Sequence, residues 1–249
     1  MRKSNTVRSG GHRPPRQGQR AFTLLELLVV VGLIAGLAAV LITGLPGGGP
    51  AAALQAGQAT VANLVTSARL KAAATGRHSR VLVANDPAVP ERFLHELVLQ
   101  LARTPGANPP EWETLQTVTL PAGIFVLPAT LGSPAGLVTD PAQWRRVSEP
   151  GEELASGVFR NQQVVVALPG EVAARNWTGL CFTPNGTLAP LAGGLPPRGL
   201  LVLAAGGIRA PGSYASGESP VRLAQPDAVR GLVLSAYGVP ALLSERSAF

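Results

Sequence analysis

The sequence predicts an α+β fold. A long amino-terminal helix, membrane-spanning in its first half and amphipathic in its second, packs on an antiparallel β-sheet head. Three observations predict this. Residues 27–45 form an apolar run in which only Thr43 is neither apolar nor Gly. The stretch from Leu54 to Ala72 repeats apolar residues at helical spacing. Beyond Gly76 come short segments rich in Val, Leu, Ile and Phe, separated by Pro, Gly and Asn clusters.

The first element is a basic leader, residues 1–21. Its Arg2, Lys3, Arg8, Arg13, Arg16 and Arg20 are six of the 21 basic residues in the chain, and it holds no acidic residue. Removing it leaves 15 basic against 14 acidic residues, a formal net charge of +1. The pI of 10.9 is thus mostly a property of the leader. Basic flanks are retained on the cytoplasmic side of a membrane, so the leader reads as an orientation signal and not as nucleic-acid affinity.

The second element, residues 22–45, reads as a transmembrane helix. At 1.5 Å per residue its length is ~36 Å, enough to span ~30 Å of hydrocarbon with some tilt. Gly32 and Gly36 stand four apart on one face. They fit either a helix contact or a Gly-tolerant membrane helix. Glu26 lies at the edge of the run. A carboxylate there costs up to ~3 kcal/mol on insertion scales, so it calls for a partner or a task.

Residues 46–76 read as a kink followed by an amphipathic half. Leu45-Pro46-Gly47-Gly48-Gly49-Pro50 interrupts the helix, because Pro lacks a donor and Gly is entropically poor. Leu54, Val61, Leu64, Val65, Ala68 and Ala72 then form an apolar stripe, with Gln58, Asn63, Ser67, Arg69 and Lys71 between them. Arg69 and Lys71 suit the negative end of the helix dipole, and Gly76 suits the stop position. The stripe needs a sheet to cover.

Residues Arg20-Ala21-Phe22-Thr23-Leu24-Leu25-Glu26, with the basic leader before and the apolar run after, resemble the class III leader of type IV prepilins and type II secretion pseudopilins. The resemblance implies that a prepilin peptidase cuts between Ala21 and Phe22 and methylates the new amino terminus at Phe22. It implies an assembly role for Glu26, the fifth residue of the mature chain. It also implies the lollipop plan of pilins, with a β-rich head on the second half of the helix. The expected partners are the prepilin peptidase, other pseudopilins or minor pilins, an inner-membrane assembly platform and membrane lipid. The family usually has Gly where Ala21 stands.

The head, residues 77–249, is expected to contain strands at 80–84, 93–101, 115–120, 124–127, 163–168, 178–182, 200–204 and 231–236. The 93–101 segment fits a helix as well by periodicity, and its place after the first strand decides for strand. Residues 132–157 and 206–226 read as long loops, and Pro184-Asn185-Gly186 as a tight turn. Trp112, Trp144 and Trp177 read as core or edge anchors. Trp144-Arg145-Arg146 reads as a solvated turn, with a contact patch as the alternative. Two segments resemble GspH/FimT-type minor pseudopilins. One runs from Ala68-Arg69-Leu70-Lys71-Ala72 through Gly76-Arg77 to Val81-Leu82-Val83. The other is Phe182-Thr183-Pro184-Asn185-Gly186-Thr187.

Chemistry-bearing patterns are sparse. Cys181 is the only cysteine, so no intrachain disulfide forms, and its strand position reads as a buried small apolar residue. His78 and His95 do not make a metal-ligand spacing. Asp227, Glu218 and Glu245 are too scattered for a calcium site. Glu152-Glu153 reads as a solvated pair. No catalytic, cofactor-binding or metal residues are expected, and the chain is not expected to be an enzyme. The leading expectation is a structural subunit that is processed and drawn into a periplasmic pseudopilus. It sits in the inner membrane as a single pass, with its amino terminus cytoplasmic and its head periplasmic. One alternative is a DNA-binding minor pilin. In that group a Gly-Arg-x-Arg-type tail contacts phosphates; Tyr237-Gly238-Val239-Pro240 lacks it, and Arg230 and Arg246 look isolated, so nucleic acid is not expected as a partner. The other alternative is a secreted β-domain with an ordinary signal peptide.

Overall fold

The computed structural model describes residues 24, 27–34, 49–106, 110–194, 196–197 and 199–249. The chain divides into two units, Met1–Gly47 and Gly48–Phe249. In the first, residues 24 and 27–34 belong to a helix, α1. Among the described residues no helix is long and apolar enough to cross a membrane. Of the expected kink at residues 45–50, residues 45–48 lie outside the described residues.

The second unit is mixed helix and antiparallel sheet. Helix α2 runs Pro50–Thr75, with Pro50 at the start, where a missing N–H costs nothing. It ends at Gly76, whose φ of 64° is left-handed and whose N–H bonds Ala72 O, as the sequence predicts. Leu54, Val61, Leu64, Val65, Ala68 and Ala72 are all buried, so the apolar stripe is the packed face. Fully buried Val61 and Val65 each contribute up to roughly 1.5–3 kcal/mol of burial free energy. Two expectations on this helix need correction. Gln58 belongs to the packed face, at 3% exposure. Arg69 and Lys71 stand before the last turn, too far from the end for a strong dipole effect.

Two sheets, not one, pack on the helix, and every ladder is antiparallel. The first has the order β3 (Trp112–Thr119), β2 (Glu96–Ala102), β1 (Ser79–Ala84), β6 (Arg175–Phe182), β5 (Gln163–Val166), with β7 (Leu188–Ala189) also on β6. The second has the order β11 (Pro240–Leu243), β10 (Val229–Leu234), β8 (Gly199–Ile208), β4 (Ile124–Val126), with β9 (Val221–Leu223) also on β8.

Period-two alternation divides the side chains among three apolar clusters. Val81, Val83, Leu97, Leu99, Leu180, Leu201, Leu203, Leu232 and Leu234 join the helix stripe in the main core. Val202, Ala204 and Phe125 point the other way, into a second core closed by Leu131, Leu137, Trp144, Leu154 and Phe249. Leu82, Ala84, Val98 and Trp177 form a third cluster with Leu168 on the outer face of the first sheet.

All eight expected strands form, with shifted ends. Strand β2 begins at Glu96, because Phe93 and Leu94 are buried in the preceding turn, where Leu94 has φ 56°. The expected loop at 206–226 contains the end of β8 and all of β9. The glycines that suggest a break permit a close approach instead. A Cβ on Gly206 would sit 2.7 Å from Arg222 O, so pairing there needs Gly. The segment 132–157 holds a short 3-10 turn at Pro141–Gln143, an isolated Arg145–Glu153 bridge and the start of a second 3-10 turn, Gly157–Phe159. Within it Trp144 is 3% exposed, which corrects the solvated-turn reading: the ring is core. Strands β7 and β11 are too short or too poor in β-branched residues to be read from sequence.

Candidate functional site

The residues expected to carry processing and assembly, Ala21, Phe22 and Glu26, lie outside the described residues, as does Gly36. Of their surroundings, residues 24 and 27–34 of α1 are described. Leu27, Leu28, Val29, Val30, Val31, Leu33 and Ile34 are all exposed, on every side of the helix. A Cβ added at Gly32 would meet nothing within 4 Å.

The segments 68–83 and 182–187 come together in space. Residues Thr183 to Thr187 close the expected tight turn. Thr183 N–H bonds Thr187 O at 2.8 Å, and Gly186 N–H bonds Thr183 O at 2.8 Å. Arg69 Nε donates to Gly186 O at 3.2 Å and to Tyr237 O at 3.1 Å. Gly186 has φ 73°, and a Cβ there would lie 3.3 Å from Arg69 O and 3.4 Å from Ala73 Cβ. Across the junction, a Cβ on Gly238 would lie 2.5 Å from Phe182 Cε1. The end of α2, the Thr183–Thr187 turn and the Tyr237–Val239 turn thus meet at backbone contact distance. Arg69 acts as the clasp between them and not as a dipole partner.

A second polar group lies on the outer face of the first sheet. Arg80 on β1 stands opposite Gln100 on β2 and Cys181 on β6. It is only 6% exposed. Its Nε donates to Gln100 Oε1 at 2.7 Å, and Gln100 Nε2 donates to Thr114 Oγ1 at 3.0 Å. Its guanidinium lies over the Trp112 ring, 4.1 Å from the centroid. Burial lowers the Arg80 pKa to about 10, with a small opposing contribution from Cys181, so the group stays charged at neutral pH. Burial likewise pushes the Cys181 thiol up to about 11, so it is a neutral thiol there. Cys181 is buried, as expected. The Arg80 arrangement escaped sequence reading, because nothing in Ser79-Arg80-Val81-Leu82-Val83 marks a buried cation. The only signal was a charged residue at a strand position whose alternate neighbours, Leu82 and Ala84, are apolar.

Several of the other charged groups are committed to one another. Arg92 pairs with Glu96 at 2.7 Å and with Glu171. Arg146 pairs with Glu149 at 2.7 Å and Glu152 at 3.0 Å, and Glu153 accepts from Leu131 N–H at 3.2 Å. The Glu152-Glu153 pair is exposed but engaged. Arg246 and Arg230 each reach a neutral acceptor. Arg246 Nη2 donates to Arg145 O at 2.5 Å, and Arg230 Nη1 reaches Gln58 Oε1 at 3.5 Å. His95 Nδ1 lies 2.8 Å from Ile124 O, its ring 5.3 Å from that of Phe125. Among the described residues no group of three His, Cys, Asp or Glu could hold a metal ion. A broad depression of about 1100 Å³ is lined by Thr130, Arg146, Glu152, Arg160, Asn161 and Gln162. It is open to solvent, and its Arg146 and Glu152 are spent on each other.

The chain matches no family model, no curated protein and no solved structure.

Proposed function

We propose that this chain is a pseudopilin or minor pilin subunit of a type II secretion or type IV pilus-like assembly. One observation carries the reading: Ala21-Phe22-Thr23-Leu24-Leu25-Glu26 between a basic leader and an apolar run. The charge step supports it, since basic residues before the cut hold that end in the cytoplasm. The exposed, all-round apolar surface of residues 27–34 agrees with it, because such a surface is stable in lipid or against other helices. So does a helix whose apolar stripe backs an antiparallel head.

In this reading a prepilin peptidase cuts between Ala21 and Phe22 and methylates Phe22. The mature chain waits in the inner membrane, head outward, with residues 22–45 as its anchor. An assembly platform then moves it into a periplasmic pseudopilus beside other pseudopilins. The Phe22 amine stays cationic after methylation. In the low dielectric of the bilayer edge it attracts the Glu26 carboxylate far more strongly than in water.

The test is the amino terminus of the membrane-bound chain by mass spectrometry. The expected start is N-methyl-Phe22. A start near Leu54 or Gly57 would instead establish an ordinary secretory signal peptide.

A further inference from the structure

A buried charge is expensive unless it is paired. Arg80 is buried, and among the described residues no carboxylate lies within ion-pair distance of it. The pairs that do form belong to Arg92, Arg146, Arg175, Arg209 and Arg246. Glu26 is the only acidic residue outside the described ones. The sheet nevertheless holds Arg80 in place from two directions. Gln100, itself fixed by Thr114, takes Nε. The Trp112 ring takes one face of the guanidinium. Nη1 and Nη2 bond to nothing else among the described residues and keep contact with solvent.

The guanidinium is therefore oriented, covered on one face, and left with two parallel donors that no described residue takes. That is the fork that matches a carboxylate in a bidentate pair. A single cation matches the single charge of one carboxylate group, and the far end of a diacid stays in solvent. Arg80 is the one cation bonded to Gln100 and stacked on Trp112 among the described residues, whereas a phosphate dianion calls for more charge. Lysine would not serve, because stacking on Trp112 and the Nε bond to Gln100 both need the planar group.

The geometry points to Arg80, positioned by Trp112 and Gln100, as a binding site for one carboxylate group. The carboxylate comes from a small free acid or from an acidic side chain of a protein partner. The site stands on the geometry of the first sheet, and holds whether or not the Ala21–Phe22 bond is cut.

The experiment uses the full chain in a nonionic detergent at pH 7.5. It is titrated with sodium succinate and with a capped Gly-Ser-Glu-Ser-Gly peptide. Sodium chloride at equal ionic strength and sodium phosphate are run in parallel. Binding is read by calorimetry and by tryptophan emission, in which Trp112 is the half-buried reporter beside buried Trp144 and Trp177. The expected result is saturable binding of at least one carboxylate probe over chloride. Arg80→Met weakens it at least tenfold, and Trp112→Phe removes most of the emission change. Tighter peptide binding assigns the carboxylate to a protein side chain, and tighter succinate binding to a free acid. Without ligand, Arg80→Met melts at or above the wild-type temperature, because an unpaired buried charge is gone. Succinate raises the melting temperature of the wild type only. If Arg80→Met fails to fold, Arg80→Lys carries the test and also loses tenfold in affinity. Binding of neither probe, stronger binding of phosphate than of both, or undiminished binding by the Arg80 variant overturns the assignment.

Discussion

Arg69 on α2 donates its Nε hydrogen to the carbonyl of Gly186, 117 residues away in sequence, at 3.2 Å. The same Nε reaches Tyr237 O at 3.1 Å. One side chain thus ties the helix to a turn of the first sheet and a turn of the second. Gly186 completes the fit through its left-handed φ of 73° and its lack of a Cβ near Arg69 O.

The first expected outcome follows from that clasp. Arg69→Ala removes two charge-assisted bonds that are partly exposed, and costs about 1 kcal/mol after allowance for solvent. Gly186→Ala adds backbone strain and a steric contact, and costs roughly 1–3 kcal/mol. The two residues touch, so the double variant costs less than the sum. Urea denaturation of all three variants checks this. Strict additivity would mean that the bond carries no energy.

Gln58 gives a second outcome. Its Nε2 donates to Gly231 O at 2.7 Å and to Leu243 O at 2.8 Å, from within the packed face of α2. Gln58→Leu keeps the volume and leaves both carbonyls short of a donor, at a cost of about 1–3 kcal/mol. Hydrogen exchange on the β10–β11 ladder should rise with it. Wild-type exchange in Gln58→Leu would show that Gln58 does not hold the edge strand.

Glu171 sets a pH dependence. Burial by itself opposes its charged form. The hydrogen bond from Arg92, then that from Leu168 N–H, and the charges of Arg92 and Arg175 outweigh this and hold its pKa below the ordinary carboxylate value. A folded-state pKa below the unfolded one adds stability above the unfolded pKa, near pH 4, which is lost as pH falls through the folded value. Wild type and Glu171→Gln should therefore differ in melting temperature at pH 7 and converge as pH falls through the folded-state value of Glu171. A constant difference across that range would rule out the Glu171 contribution.

Glu26 is the residue on which the proposed assembly rests. Glu26→Leu should leave membrane insertion and cleavage intact and abolish incorporation into the pseudopilin complex. Glu26→Asp, with the charge kept and the reach shortened, should do partial harm. Co-purification of each variant with the complex is the measurement, and membrane level is the control. Incorporation of Glu26→Leu at the wild-type level would reduce Glu26 to a passive residue.

The sequence by itself determined the packed face of α2, its stop at Gly76, the location of eight strands and the burial of Cys181. Each of these rests on short-range pattern. An apolar period of 3.6 or 2, a glycine at a left-handed turn and a Pro-Asn-Gly corner are decided by residues within a few positions of one another. The leader pattern around Ala21, Phe22 and Glu26 is local in the same sense, and the proposed function rests on it. Only the tertiary structure decided that two sheets share the helix, that Trp144 is core, and that Gly206 continues a strand. It alone decided that Gln58 is buried, that Arg69 is a clasp, and that Arg80 stands over Trp112 with no carboxylate partner among the described residues. In each case the deciding partner is far away in the chain. Gln58 looks polar and surface-facing until Gly231 O arrives above it. Arg80 looks like an ordinary strand-edge cation until β2, β3 and β6 close around it and remove most of its water.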